Sequence, residues 1–243
     1  MPLPKVVTPT FELDLISTGK TIKYRPFLVK EEKVLLIALE SGNEKDILNA
    51  VKDVLKSCVL TRGVKVDDLP SFELEYLFLN IRSKSVGESV ELLVTCTDDG
   101  ETQVPLSVKI NEVKLVVPDG HNDLIELGGG LFMKLKYPSM QQFVENNFSL
   151  SKAGTNSEKI DKAFKSVISC IEQLYNEDEA WSYSDYTEKE WIEFLEGLDS
   201  FQFQMIEKFF ETMPKLSYST KVKNPNTGVD TDVLIEGLTN FFA

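Results

Sequence analysis

Residues 21–59 read TIKYRPFLVKEEKVLLIALESGNEKDILNAVKDVLKSCV. This stretch decides the fold, because an extended segment leads directly into two helices with separate start and stop signals. Pro26 disfavours the α conformation at the residue before it, so residues 21–29 are predicted to form an edge strand. One buried helix face is then predicted from apolar side chains at i, i+3, i+4 spacing, namely Leu35, Ala38 and Leu39.

A second helix follows immediately. The Ser-Gly pair at residues 41–42 ends the first helix, and Asn43 is a suitable N-cap for the next one. Its predicted apolar stripe is Ile47, Val51, Val54, Leu55 and Cys58. Tyr24 and Phe27 have two interpretations: an aromatic plug over these helices, which the usual packing of apolar residues favours, or contacts to a partner.

Composition limits the class of protein. The chain has 243 residues, 42% of them hydrophobic, which is enough to bury a core as one large domain or two small ones. A formal net charge of −13 argues against binding to nucleic acid or to an anionic membrane surface. No apolar run approaches the roughly 20 residues of a membrane span, and no signal peptide is seen, so we expect a soluble protein in the cytoplasm where it is made. Three widely spaced cysteines predict no disulfide.

Downstream, the apolar period changes from 3.6 to two after a third helix. This change predicts a β-hairpin at residues 90–96 and 104–110. Further strands are predicted at residues 113–117, 124–127 and 131–137.

The second half of the chain is predicted to be mainly helical. A helical stripe covers residues 160–174. Residues 175–183, YNEDEAWSY, are interpreted as an acidic, aromatic linker, for which a solvated loop is favoured over a docking segment. Thr187 starts a capping box, and Asp199 or Ser200 caps a last helix before a short β return.

These elements predict an α+β fold with helical layers around a small antiparallel sheet. We expect an N-terminal α+β region at residues 1–138 and a mainly helical region at residues 139–243, whose C-terminal hairpin returns to the sheet. The two regions either fold separately or form one integrated domain.

Two turns echo one another. VTCTDDG at residues 94–100 and VKNPNTG at residues 222–228 both lie between alternating strands and end in Gly. A zinc knuckle, C-x-x-C-G, places two thiolates on such a turn, and its four equivalent positions here are Cys96, Asp99, Asn224 and Thr227. We hypothesise a degenerate, metal-free zinc ribbon whose hairpins pair in space and hold together by packing alone. Two unrelated glycine-containing turns are the alternative.

Enzyme chemistry is nearly absent from the sequence. His121 is the only histidine and lies in a polar turn, so we expect an exposed polar role rather than a general base. The glycines at residues 128–130 lack the spacing and the Lys of a phosphate loop. We therefore assign no catalytic residue, no metal, no cofactor and no small-molecule substrate. A metal-dependent hydrolase that uses Asp and Glu is the alternative from another class.

Three blocks carry a family resemblance. They are residues 24–59, which begin with YRPFLVKEEK, the segment 77–94 with its NIRSKSVGE, and the ending 233–242 with its EGLTNFF. Together they resemble the base-plate hub assembly protein family of T-even-type bacteriophages. The resemblance implies a non-enzymatic assembly chaperone of the baseplate hub, with other hub proteins as partners and the host cytoplasm as the place of assembly. A permanent structural subunit of the hub, located in the virion baseplate, is the alternative within the same class.

The partner surface is predicted at the two ends of the chain. Tyr24, Arg25 and Phe27 form one part, and Phe241 and Phe242 form the other, because aromatic and Arg side chains are common interface anchors. Termini usually fray unless they are docked. The alternative for the C-terminal pair is that it folds back over this chain's own core.

Overall fold

The computed structural model describes residues 6–139, 142 and 156–237. The helices in this part of the chain are α1 (Val29–Ser41), α2 (Glu44–Cys58), α3 (Ser71–Val86), α4 (Asn156–Cys170), α5 (Glu188–Glu196) and α6 (Ser200–Glu211). The strands are β1 (Phe11–Asp14), β2 (Thr21–Tyr24), β3 (Ser89–Thr95), β4 (Gln103–Lys109), β5 (Lys114–Val116), β6 (Leu124–Gly128), β7 (Leu131–Leu135), β8 (Ile171–Tyr175), β9 (Ala180–Ser182), β10 (Lys215–Lys223) and β11 (Asp230–Glu236). The strands pair antiparallel in small sheets, and the predicted α+β class is confirmed.

By internal contacts the chain forms two compact units. Unit 1 runs up to Val116 and resumes at Lys215, whereas unit 2 is Val117–Pro214. The predicted division between residues 138 and 139 stays a prediction, because a compact unit is not by itself a domain that folds separately.

Unit 1 is built around α3, which is buried on nearly every side. Its buried residues are Ser71, Phe72, Glu73, Leu74, Glu75, Leu77, Phe78, Leu79, Ile81 and Ser83. A helix with this little exposed surface belongs in a core rather than on it. The Glu73 carboxylate is satisfied there, since it accepts hydrogen bonds from the backbone N of Ser17 at 2.6 Å and from its Oγ at 2.8 Å.

Two hairpins of unit 1 share one hydrophobic cluster. Strand β3 pairs with β4, and β10 pairs with both β11 and β5. Their inward side chains alternate with exposed ones, as expected for strands buried on one face. The buried members of the cluster are Leu79, Val90, Leu92, Cys96, Val108, Ile110, Val113, Leu216, Val222, Val233 and Ile235.

Unit 2 packs helices α4, α5 and α6 with the sheet β6-β7-β8-β9. Its buried core is Ile125, Leu127, Met133, Leu135, Val167, Ile168, Ile171, Leu174, Trp191, Leu195, Ile206 and Phe209. The capping boxes at Thr187 and Asp199 start α5 and α6, as the sequence predicts.

One predicted helix of unit 2 is too long. The helical stripe over residues 160–174 ends at Cys170, and β8 takes the remainder, with Leu174 opposite Met133 of β7. Ile171 and Leu174 would share the buried face of a helix, and both are also buried in β8, because this strand is irregular at its start. Helical periodicity alone therefore did not mark the change from helix to strand.

The predicted solvated linker at residues 175–183 is also wrong in part. It is a tight hairpin between β8 and β9 with Trp181 opposite Leu174. The side-chain oxygen of Asn176 closes the turn, because it accepts from the backbone N of Asp178 at 2.9 Å and of Glu179 at 2.7 Å.

Candidate interaction surface

The predicted anchors Tyr24 and Phe27 lie in the interior of unit 1. Tyr24 is 2% exposed and Phe27 is 8% exposed. The centroid of the Tyr24 ring lies 5.8 Å from that of the Phe11 ring. An isolated bridge joins Tyr24 to Val59 at the end of α2. This placement agrees with the aromatic plug that the sequence favoured, and a partner role for the two residues stays a prediction.

Arg25 is held by its own chain. Its Nη2 lies 2.9 Å from Oε1 of Glu31, and its Nη1 donates to the carbonyl of Pro26 at 2.8 Å. Burial raises the pKa of Glu31, but hydrogen bonds from Arg25, from the backbone N of Leu28 and from Lys30 outweigh it, so the pKa of this carboxyl is lowered. The pair fixes the start of α1, because Glu31 reaches back to the N-cap backbone.

The exposed side of α1 carries several apolar residues besides Lys30, Lys33 and Glu40. Only Glu31 and Ala38 of this helix are buried. The exposed apolar residues, named here the α1 apolar face, are Leu28 41%, Val29 80%, Val34 45%, Leu36 56%, Ile37 57% and Leu39 58%. A surface helix normally turns polar side chains outward, and clustered exposed apolar residues mark interaction sites. This face is therefore the candidate interaction surface.

Sequence reasoning missed this surface and misplaced one residue. The prediction that Leu39 packs inward is wrong, because α1 turns Ala38 inward and leaves Leu39 more than half exposed. The available signal was the run VLLIAL at residues 34–39, which has too few polar positions for a helix with a solvated side.

The remaining predicted anchors, Phe241 and Phe242, lie outside the described residues. Their partner role stays a prediction.

The two echoing turns do meet in space. Nδ2 of Asn224 donates to Oδ1 of Asp98 at 2.9 Å and to Oδ2 of Asp99 at 2.8 Å, and Asn224 is fully buried. Nδ2 of Asn226 also donates to Oγ1 of Thr102 at 2.9 Å. The prediction that packing alone holds the hairpins is thus wrong, since side-chain hydrogen bonds join them. We call this group of turn residues the polar clasp.

The polar clasp has two ionised carboxyls. Hydrogen bonds from Asn224 and Thr227 lower the pKa of Asp98. Hydrogen bonds from Thr102, Asn224 and the backbone of Glu101 hold the pKa of Asp99 far below its usual range. A metal ion would have to displace these hydrogen-bond donors from the two carboxylates. Among the residues that the structure describes, no group of three or more His, Cys, Asp or Glu side chains is placed to hold a metal ion. Descent from a zinc ribbon stays a hypothesis.

His121 is not an exposed turn residue. Its ring packs against the rings of Tyr137, at 5.6 Å, and Phe209, at 5.3 Å, which also contact each other at 5.6 Å. Its Nδ1 lies 2.9 Å from Oγ1 of Thr212 and its Nε2 lies 2.9 Å from the Tyr137 hydroxyl. Thr212 donates its own proton to the carbonyl of Lys208, so it accepts from Nδ1–H. The predicted exposed role is wrong, since His121 is half-buried, and this burial lowers the pKa of the imidazole, which favours its neutral form.

The cysteines are unsuited to nucleophilic chemistry. Burial raises the pKa of Cys58 and of Cys170 to about 11, so both thiols stay protonated at neutral pH.

Over the described ranges, 6–139 and 156–237, no helix is long and apolar enough to cross a membrane.

Comparison with known proteins gives a family match. A family model described as T4 bacteriophage base plate protein matches residues 8–243, which is nearly the whole chain and includes residues of both units. Searches of curated proteins and of solved structures found no match.

Proposed function

The chain belongs to the T4 bacteriophage base plate protein family, and from this premise we propose that it is a non-enzymatic assembly chaperone of the baseplate hub. A structural or assembly role connected with the phage baseplate follows from the family itself. The resemblance to baseplate proteins seen in the sequence is confirmed by the match.

The α1 apolar face is the observation that carries the proposal. Exposed apolar area is unfavourable in water, by about 25 cal/mol per Å², and a cluster of exposed apolar residues marks an interaction site. We propose that a hub protein covers Leu36, Ile37 and their neighbours during assembly. The intramolecular pair Arg25–Glu31 supports a preformed surface, because it fixes the first turn of α1 without help from a partner.

Mass spectrometry of purified virions tests the chaperone role. A chaperone leaves before the particle is complete, so we expect the chain in infected-cell extracts and not in virions. Its presence in virions at a fixed ratio to the hub proteins would instead support the alternative, a permanent structural subunit.

Pairwise co-expression tests the partner class. Each hub protein of the same phage is co-expressed with this chain, and the complex is recovered by affinity purification. We expect at least one stable pair. Failure of all pairs would overturn a role through hub contacts.

The metal-dependent hydrolase is the alternative from another class. A ligand that binds only the folded state raises stability by RT ln(1 + [L]/Kd). We expect no thermal shift with Mg²⁺, Mn²⁺, Ca²⁺ or Zn²⁺, and a saturable shift with one of them would favour the alternative.

A further inference from the structure

Among the strands that the structure describes, two in unit 1 have an unpaired edge beside the same groove. Strand β11 is the outer strand of the order β11-β10-β5, and β3 pairs with β4 on one side only. The groove has a volume of about 320 Å³ and is lined from β3 by Leu92, Leu93 and Val94 and from β11 by Asp232, Val233, Leu234 and Ile235. Free strand edges are templates for pairing with another chain.

The hydrogen-bond phase of β11 shows which backbone groups face the groove. The backbone N of Asn224 donates to the carbonyl of Val229 at 2.9 Å, and that of Gly237 donates to Leu216 at 3.0 Å. Bonded pairs alternate along an antiparallel ladder, so the odd-numbered residues of β11 bond to β10. The N–H and C=O of Asp232 and Leu234 therefore point away from β10, to the free edge.

The same reasoning separates the two edges of the β3-β4 hairpin. The backbone N of Cys96 donates to the carbonyl of Thr102 at 2.8 Å, so Leu93 and Pro105, which lie opposite one another, form a non-bonded pair. The missing N–H of Pro105 thus falls on the outer edge of β4, where proline discourages pairing. No proline lies within β3 or β11. The edges beside the groove lack this protection.

The side chains indicate the occupant. Val233 and Ile235 are buried and line the groove, whereas Leu234 is 63% exposed beside the carboxylates of Asp230 and Asp232 on the outer face. Lys221 approaches Asp232 at 3.5 Å, in a pair whose side chains are 71% and 84% exposed and which is therefore weak. Residues directly opposite in a sheet share a face. A strand added to β11 would therefore put apolar residues opposite Val233 and basic residues opposite Asp232.

We propose that the free edge of β11 binds an extended segment of another baseplate protein by strand addition, with alternating apolar and basic residues. The polar clasp keeps the turns of the two hairpins together at one end of the groove, so the site exists before the segment binds. This inference rests on the proposed function, because the occupant is a baseplate partner, but it uses a different surface from the α1 apolar face.

Proline at position 234 tests backbone pairing. Leu234→Pro removes the outward N–H and leaves the hydrogen bonds to β10 in place. An edge strand tolerates proline at such a position. Leu234→Ala is the matched control, because it removes the side chain and keeps the N–H. With a hub protein recovered from pairwise co-expression as the probe, Leu234→Pro should weaken binding about tenfold, and Leu234→Ala by much less. Equal effects of the two variants would overturn strand addition.

Amide hydrogen exchange gives a second readout that does not depend on a variant. The amides of Asp232 and Leu234 should exchange rapidly in the free chain and slowly in the complex. Charge neutralisation, Asp230→Asn with Asp232→Asn, should also weaken the complex, and it avoids the like charges that lysine would place opposite Lys223 and Lys221.

The outcomes separate this inference from the proposed function. If a hub protein binds but the amides of Asp232 and Leu234 stay unprotected, strand addition fails and the proposed function stands. If no hub protein binds, both fail. If these amides become protected only when the chain dimerises, the edge pairs with a second copy. If they are protected in the free monomer and deletion of residues 238–243 removes the protection, the edge pairs with this chain's own end. Either result overturns the inference.

Discussion

The side-chain amide of Asn224 lies 2.9 Å from Oδ1 of Asp98, across 126 residues of sequence. Asn224 also orders its own turn, because its Oδ1 accepts from the backbone N of Asn226 at 2.9 Å. A single buried amide thus links the turn of one hairpin to that of another, and its loss should lower the free energy of unfolding of unit 1.

We expect Asn224→Ala to destabilise the protein by about 1–3 kcal/mol, because it removes the hydrogen bonds to two carboxylates by which the buried amide joins the two turns. Urea unfolding followed by circular dichroism measures the change. Asn111→Ala is the control at an exposed position and should have little effect. Similar losses for the two variants would show that the polar clasp does not stabilise the fold.

Periodicity and capping signals predicted most of the elements. The end of α1, the start of α2 and the β3-β4 hairpin follow from Gly42, Asn43 and the change of period, because these signals are local. The predicted strand at residues 21–29 is too long, since β2 ends at Tyr24 and α1 begins at Val29. The polar clasp was seen only as a similarity of two turns. Its hydrogen bonds could not be predicted, because they depend on how two hairpins far apart in sequence pack together.

The candidate surface was harder to predict than the fold. Apolar side chains are usually buried, so a run such as residues 34–39 suggests core, and only the structure shows which side of α1 is covered. For Tyr24 and Phe27 the same rule favours the aromatic plug, and both residues are buried, whereas their partner role stays a prediction.

The core position of Leu55 gives a second prediction. Leu55 is fully buried in α2, so Leu55→Ala should cost about 2–5 kcal/mol. Lys52 lies outside the apolar stripe but is only 8% exposed, which makes it a poor control. Asp53→Ala at an exposed position should stay within roughly 0.5 kcal/mol of the wild type in denaturant melts. Equal destabilisation by the two variants would contradict the register of α2.

The His121 cluster predicts a pH dependence. Burial lowers the pKa of His121, although Asp123 opposes this in part. A lowered folded pKa means that the unfolded state binds the proton more readily, so the stabilisation is complete above the ordinary pKa of about 6.5 and is lost as pH falls through the folded pKa.

Nuclear magnetic resonance of the single imidazole should give an apparent pKa below that of an unfolded His. The free energy of unfolding should decrease as pH falls below about 6.5, and His121→Gln should flatten the profile there. A wild-type profile that rises on acidification would contradict a neutral, half-buried imidazole.

The α1 apolar face should bind without contributing much to stability. Leu36→Gln combined with Ile37→Gln replaces two side chains that are 56% and 57% exposed, and glutamine keeps a good helix propensity. We expect loss of hub-protein binding in pull-down and little change in melting temperature. Phe201→Gln, at a residue 70% exposed in unit 2, is the matched control and should leave binding intact. Binding by the double variant at wild-type strength would exclude this face.

The C-terminal Phe241 and Phe242 give the last prediction. Under the interface interpretation, deletion of residues 239–243 abolishes hub binding and leaves the melting transition nearly unchanged, because a docked terminus orders only with its partner. Calorimetry and pull-down on the same preparation separate the two effects, and Phe241→Ser with Phe242→Ser shows whether the aromatic rings are responsible. If the shortened chain instead loses several degrees of melting temperature or becomes insoluble, the tail packs on this chain's own core. The partner surface would then be sought at the α1 apolar face, Arg25 and the acidic residues 177–179.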